Sequence, residues 1–156
     1  MKKSGMKGLR RDMVKVLIDT NVAIDLIDAR IPFVTEAREV FISCGRRKIR
    51  GIITANSITD IYYIIRKKIG HQDTITALES LFSRIVIASV TKRDMQKAMA
   101  SPMTDLEDAL IAACAKRIKA DYIITRNTAH FKNSPVPAIT PKNFLKLQKQ
   151  SAAGPA

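Results

Sequence analysis

Acidic residues are scarce in this chain of 156 residues. Fourteen Asp and Glu stand against 27 Lys and Arg, which gives a formal net charge of +13. Such an excess favours a polyanionic partner through electrostatic attraction and the release of counterions. A basic protein that is merely soluble, or one matched to an acidic protein, has the same composition, so charge alone does not choose between these classes.

Cysteines are few, and long apolar runs are absent. The two cysteines, Cys44 and Cys114, form no CxxC pair and have no His at metal-ligand spacing. This pattern predicts buried free thiols in a reducing compartment rather than a disulfide or a zinc site. No apolar run approaches the ~18 residues that span a bilayer, and no uncharged apolar stretch of signal-peptide length follows the basic amino terminus. We therefore expect a cytoplasmic protein without a membrane segment.

Strand-like and helix-like segments alternate along the chain. The length is typical of one domain, which we expect at residues 14–149, with flexible tails at 1–13 and 150–156. Mostly apolar, β-branched runs predict strands, and the segments between them carry apolar residues at helical spacing. The expected strands are 14–18, 51–54, 85–88, 121–125 and a short edge strand at 136–139. This alternation predicts an α/β fold, a three-layer α/β/α sandwich with a central parallel sheet.

Several acids fall where strands end and helices begin. Asp19 directly follows the first strand, and Asn127 lies just past the strand at 121–125. Asp60, Asp105 and Asp108 fall in the first turns of predicted helices. In a parallel α/β sheet these positions share one edge, the edge that carries the ligand crevice. Asp105 and Asp108 are three residues apart, so both can face that crevice together.

A pocket of three or four carboxylates needs either protonation or a cation, because like charges at close range raise each other's pKa. Oxygen ligands without Cys or clustered His favour Mg²⁺ or Mn²⁺ over zinc. Such an ion polarises a phosphate oxygen and lowers the pKa of bound water. Metal-assisted phosphodiester hydrolysis would therefore connect an acidic pocket with a basic exterior.

Simpler roles for the same residues stay open. Asp60 and Asp105 are also the acids that a helix dipole favours at a helix start. Asn127 is also a common turn residue. An aspartyl phosphotransferase would use a strand-end nucleophile such as Asp19, but these enzymes usually have a second acid two residues later, where this chain has Asn21.

Four segments, in this order, resemble the PIN-domain ribonucleases, a family that includes the VapC toxins of bacterial toxin–antitoxin pairs. They are DTNV (19–22), TDIYYIIRK (59–67), DLEDAL (105–110) and DYIITRN (121–127). The resemblance covers about residues 14–145. It implies an α/β/α fold, dependence on Mg²⁺ or Mn²⁺, and cleavage of single-stranded RNA. It also implies a small antitoxin partner and a homodimer.

The resemblance also assigns the site. The first, second and third family acids fall on Asp19, Asp60 and Asp108, which are the expected catalytic residues. The expected metal ligands are these three with Asp105 and with Asn127, the fourth family position. We expect RNA contacts from Arg126, beside the strand end, and from two residues of a basic helical cluster, Arg66 and Lys67.

Two positions depart from the family pattern. The second acid is often Glu, and the shorter Asp60 would need a water to reach a metal. The fourth position is often Asp, and Asn127 keeps an oxygen ligand but loses a charge. The alternative function is therefore a catalytically weak or inactive PIN-like module that binds RNA or a protein partner.

Overall fold

The computed structural model describes residues 13–154, and its centre is one sheet of five parallel strands in the order β3-β2-β1-β4-β5. The strands are β1 (Lys15–Ile18), β2 (Arg50–Thr54), β3 (Val86–Ala88), β4 (Tyr122–Ile124) and β5 (Ala138–Ile139). β1 lies in the middle of the sheet, and its residues 16–18 are fully buried. A continuous apolar run is what a strand covered on both faces requires.

Helices cover both faces of the sheet. They are α1 (Thr20–Ile27), α2 (Val34–Gly45), α3 (Ala55–Phe82), α4 (Lys92–Met99), α5 (Leu106–Arg117) and α6 (Pro141–Ala153), with a short 3-10 helix at Thr128–Phe131. Because side chains alternate along a strand, Val16 and Ile18 belong to a core with α1, α2, α3 and α6. Leu17 belongs to the second core, with α4 and α5. This arrangement confirms the predicted three-layer α/β/α sandwich.

The expected break at Gly70 is confirmed, because its non-helical angles (φ 82°) divide residues 55–82 into two helices. Two other details differ from the expected elements. The 3-10 helix after β4 was not expected. α6 continues to Ala153, so residues 150–153 of the expected carboxyl tail are helical. The expected amino-terminal tail falls almost wholly on residues 1–12, outside the described residues.

Other expectations are met directly. Cys44 and Cys114 are buried free thiols. Over residues 13–154, none of the helices combines the length and the apolar character that crossing a bilayer requires.

The strand register places the ends of β1 and β4 side by side. Ile18 pairs with Ile124, so Asp19 and Thr125 leave the sheet from neighbouring positions. The Asp19 N–H donates to the Ile124 carbonyl at 2.9 Å, which extends the ladder by one bond. β2 passes directly into α3 at the same edge. The carboxyl edge of the sheet therefore gathers segments that are far apart in sequence.

Candidate active site

A polar cleft opens at the carboxyl edge of the sheet, with a volume of about 290 Å³. Four acids line it, together with two Asn, a His and an Arg. The lining residues are Asp19, Thr20, Asn21, Ile24, Arg30, Ile64, Asp105, Glu107, Asp108, Asn127 and His130. The structure thus brings Asp19, Asp105, Asp108 and Asn127 together, as the sequence predicted for this edge.

Asp19 is the most buried acid of this cleft and is 6% exposed. It is the N-cap of α1, and its Oδ1 accepts the Thr20 N–H at 2.7 Å. Its Oδ2 accepts the Thr125 hydroxyl at 2.8 Å and the Asn21 amide at 3.2 Å. These donors fix the carboxylate in one orientation. Burial nevertheless raises the pKa of Asp19, against the hydrogen bonds from Thr125 and Thr20, and the charge of Asp108 raises it further.

Asp105 and Asp108 stand at the start of α5. Asp105 is its N-cap and accepts the Asp108 N–H at 3.0 Å. The Asp108 carboxylate lies 3.1 Å from Nδ1 of His130, which follows β4 in the 3-10 helix. Burial raises the pKa of Asp108, the neighbouring Asp105 raises it further, and His130 opposes both. The helix-start role of Asp105 and its place in the cleft are therefore both present in the structure.

Asp60 and Glu107 lie beside each other. Burial raises the pKa of Glu107, and the charge of Asp60 is the next largest cause, followed by those of Asp19 and Asp105. Asp60 is not part of the cleft lining, although its charge raises the pKa of Glu107, which does line the cleft. The structure therefore does not bring Asp60 into the cleft with the other expected ligands, and its contact with a metal stays a prediction.

Glu107 and His130 were missed by the sequence analysis. Glu107 lies within the DLEDAL segment, but an acid in the first turn of a helix is ordinary, and nothing in the spacing distinguishes it from Asp108. His130 is a single histidine in a loop-like segment, so its meeting with Asp108, 22 residues earlier, becomes visible only in the folded chain.

Asn127 lines the cleft beside the end of β4. Its backbone N–H donates to the Thr125 hydroxyl oxygen at 3.0 Å. The same hydroxyl donates to Asp19, so Thr125, which is fully buried, connects the first and fourth predicted positions.

The three predicted RNA contacts lie elsewhere. The Arg126 Nε lies 2.6 Å from Oδ2 of Asp25, which is 1% exposed, and its guanidinium stacks 4.3 Å above the ring of Phe33. Arg66 has its guanidinium 5.6 Å from the Tyr62 ring on the exposed part of α3. Lys67 is exposed beside it. Among the described residues, none of these three cations lines the cleft.

The cleft suits a hard divalent cation by its donor chemistry. Its acidic side chains are carboxylates and it contains no thiolate. The pKa values of Asp19, Glu107 and Asp108 are raised, first by burial and then by the charge of neighbouring acids. Within residues 13–154, however, no three His, Cys, Asp or Glu side chains stand close enough to hold one ion. An ion would therefore have to draw these side chains together or complete its shell with water.

Comparison with protein families gives one match. The profile described as PIN domain matches residues 15–129, which contain every acid of the cleft and Asn127. A comparison with curated protein sequences gave no significant match.

Solved structures give the same fold. A toxin–antitoxin complex from Klebsiella pneumoniae contains a chain 26% identical to this one, with a TM-score of 0.63 and coverage of 81% of this chain and 97% of that chain. VapBC2 from Rickettsia felis, bound to a DNA fragment from its promoter, has 15% identity, a TM-score of 0.65 and coverage of 81% and 98%. VapC20 from Mycobacterium tuberculosis, described as a sarcin–ricin loop cleaving toxin, has 12% identity, a TM-score of 0.57 and coverage of 69% and 86%. The last two likenesses concern the fold alone.

Proposed function

Because this chain belongs to the PIN domain family, we propose that its acidic cleft is the active site of a metal-dependent endoribonuclease. The reaction is hydrolysis of phosphodiester bonds in single-stranded RNA. The observation that carries this proposal is the meeting of Asp19, Asp108 and Asn127 in one cleft, from segments about a hundred residues apart in sequence. A structural role alone gives no reason for gathering so many carboxylates at a cost in stability.

A divalent ion would be held by Asp19, Asp60, Asp105, Asp108 and Asn127, with Glu107 as a further candidate. When bound, Mg²⁺ or Mn²⁺ supplies a Lewis acid for the phosphate and lowers the pKa of water. The residues around the ligands hold them in position. Thr125 and the Thr20 N–H orient the two oxygens of Asp19, and His130 orients Asp108.

The biological setting that we propose is a toxin–antitoxin pair. The support is the likeness to the chain from the Klebsiella pneumoniae toxin–antitoxin complex, which spans nearly all of that chain. On this proposal a small antitoxin protein binds the chain and blocks the acidic cleft, and the chain itself is a cytoplasmic homodimer. Co-purification with the product of a neighbouring small gene, and the mass of the isolated protein in solution, test these two points.

A second candidate function is a PIN-like module that binds RNA or a protein without cutting it. Two observations favour it. Asn127 replaces a charged ligand, and no three acids among residues 13–154 stand within reach of one ion. This alternative predicts RNA retention that weakens with salt and no turnover at any metal concentration.

Cleavage of a mixed panel of single-stranded RNAs in Mg²⁺ or Mn²⁺ decides between the two. We expect Asp19→Asn and Asp108→Asn to fold and to lose activity by more than the ~10–100-fold that follows loss of a group supporting a metal ligand. Asp73→Asn is the matched control, because Asp73 is an exposed acid of α3 outside the cleft. Equal activity of Asp19→Asn and wild type, in preparations free of contaminating nuclease, would refute the proposal.

Thermal unfolding in the presence of metal locates the ion independently of turnover. Wild type and Asp73→Asn should gain melting temperature as Mn²⁺ or Mg²⁺ is added, because the ion binds only the folded state. Asp19→Asn and Asp108→Asn should gain much less. A metal response that is equal in all four proteins would place the ion outside the cleft.

A further inference from the structure

Six exposed cations gather at the amino edge of the sheet, the edge opposite the acidic cleft. They come from three separate parts of the chain, namely the turn from α2 into β2, the turn from α3 into β3, and the last turns of α6. They are Arg46, Arg47, Lys48, Arg50, Arg84 and Lys149, and we call them the amino-edge basic surface.

One contact and one shared groove show that these segments lie close together. The aliphatic part of Arg84 packs on the turn that carries Arg46, since a Cβ added to Gly45 would lie 3.5 Å from the Arg84 Cγ. A groove of about 800 Å³ beside the turn is lined by Arg46, Lys48 and Lys149 together, with Glu39 as the acid among its lining residues. The rest of the lining is largely apolar, so the three cations border an apolar groove. Proteins that hold a single strand likewise combine cations for the phosphates with apolar, aromatic surface for the bases.

Local structure accounts for only part of this surface. Arg46 and Arg47 follow the carboxyl end of α2, where the helix dipole favours cations. The same reason applies to Arg84, which follows the carboxyl end of α3. It does not extend to Arg50, which begins a strand. Across residues 13–154, none of the six takes part in an ion pair, although Asp25, Asp28 and Asp94 are all paired elsewhere.

The acidic cleft by itself repels the phosphates of an approaching polyanion. Asp19, Asp105, Glu107 and Asp108 present like charge to any phosphate that approaches the cleft. Attraction for a polyanion must then come from another part of the molecule. The amino-edge basic surface lies one strand length from the cleft, and the five residues of β2 span about 16 Å. A single strand that leaves the cleft can cover this distance within a few nucleotides.

We propose that the amino-edge basic surface binds the phosphodiester backbone of the RNA strand outside the segment held in the cleft. The surface supplies most of the affinity for long RNA, and the cleft supplies the chemistry. The choice of RNA as the polyanion rests on the proposed function, but binding at this surface can be measured without any cleavage.

The test uses full-length protein carrying Asp19→Asn, in chelator, with a fluorescent long poly(U) strand titrated at several salt concentrations. The test variant adds Arg46→Gln, Lys48→Gln and Lys149→Gln. The control variant instead adds Lys92→Gln, Arg93→Gln and Lys97→Gln on α4, which belongs to the other face of the sheet. Each lost phosphate contact on a single strand should reduce the slope of log K against log salt by about 0.7. The slope of the test variant, which lacks three cations, should therefore be smaller by about 2. The control variant should keep the slope and the affinity of the parent.

Three results would overturn the inference. They are an unchanged slope in the test variant, an equal loss in both variants, and stronger competition by polyglutamate than by poly(dT), which has the same backbone charge as RNA. If the triple variant unfolds at a lower temperature than the assay needs, Lys48→Gln and Lys149→Gln are measured singly, each with an expected loss of about 0.7.

A cleavage measurement separates this inference from the proposed function. For this measurement Arg46→Gln, Lys48→Gln and Lys149→Gln are made without Asp19→Asn. The resulting protein should have a higher KM for long RNA and an unchanged kcat for a short oligonucleotide that reaches only the cleft. Equal KM values for long RNA would refute the basic surface and leave the nuclease standing. If wild type cleaves no RNA but the three Gln substitutions still reduce the salt dependence of RNA binding, the nuclease proposal is refuted and the basic surface is supported.

Discussion

Replacing Asp19 by Asn should stabilise the fold while it removes activity. The Asp19 carboxyl is 6% exposed, and burial raises its pKa above the ordinary value of 3.8. A folded-state pKa above that of the unfolded chain means that the ionised group opposes folding once the pH exceeds both values. Asn has nearly the same shape and no charge, so the variant is relieved of this cost at pH 7.

The size of the gain follows from the hydrogen bonds around the side chain. An Asn oxygen can still accept the Thr20 N–H, which lies 2.7 Å from Asp19. The Asn amide would instead point at the Thr125 hydroxyl and the Asn21 amide, which now donate to Asp19 at 2.8 and 3.2 Å, so both donors must turn away. Changes that remove such functional strain commonly contribute about 0.5–2 kcal/mol, and the mismatch at Thr125 places this one near 1 kcal/mol. For a chain of this length, about 1 kcal/mol corresponds to a rise in Tm of about 2–4 °C.

Thermal unfolding in chelator, followed by circular dichroism at several pH values, measures this effect. The gain of Asp19→Asn over wild type should vanish below pH 3.8, where Asp19 is protonated in both states, and should grow as the pH rises above that value. Asp28→Asn is the control of opposite sign, because hydrogen bonds from Lys68 and Arg30 lower the pKa of Asp28. A destabilised Asp19→Asn at pH 7, or a gain that persists in acid, would show that the buried charge is not under strain.

Three further outcomes concern stability and positioning. Burial raises the pKa of Asp94, but hydrogen bonds from Arg117 and from the start of α4 outweigh it and lower the pKa from 3.8 to about 2. Ionised Asp94 should thus contribute about 2 kcal/mol to the free energy of unfolding, present above pH 3.8 and lost as the pH falls through about 2. Urea unfolding of Asp94→Asn and of wild type should differ by this pH-dependent amount. Free energies of unfolding that change in parallel with pH in the two proteins would contradict it. Arg126→Gln leaves Asp25 buried without a charged partner and should cost about 3 kcal/mol in urea unfolding, whereas the double variant with Asp25→Asn should recover most of that loss. Thr125→Val should cost about 1–3 kcal/mol and reduce RNA cleavage by about 10–100-fold, and full activity in the folded variant would remove Thr125 from its positioning role.

The elements of the fold could be predicted because their signals are local. β-branched runs gave the strands at 15–18 and 50–54 to within about a residue, and apolar spacing gave α5. The order of the strands carries no such signal, since pairing of β1 with both β2 and β4 depends on packing across the whole chain. Gly70 was also a local signal, and the helix end expected there is confirmed by its non-helical angles.

The gathering of Asp19, Asp105, Asp108 and Asn127 at one edge could be predicted for the same reason, whereas their roles stay predictions. Asp19 and Asp108 are recognisable because they stand at the ends and starts of elements that share one edge. The direction of a long side chain has no sequence signature. Arg126 directly precedes Asn127 of the cleft in sequence, yet its guanidinium contacts Asp25 and Phe33. Its role in RNA binding stays a prediction.

The pairing of Ile18 with Ile124 has a consequence for how such an enzyme is made. Asp19 emerges early in translation, but the hydroxyl that orients it belongs to Thr125, and Asn127 comes later still. A partly synthesised chain contains Asp19 before Thr125 and before the other acids of the cleft have been made. The cleft is complete only when β4 joins the sheet, so on the proposed function a growing polypeptide would not yet cleave the RNA of the ribosome that makes it.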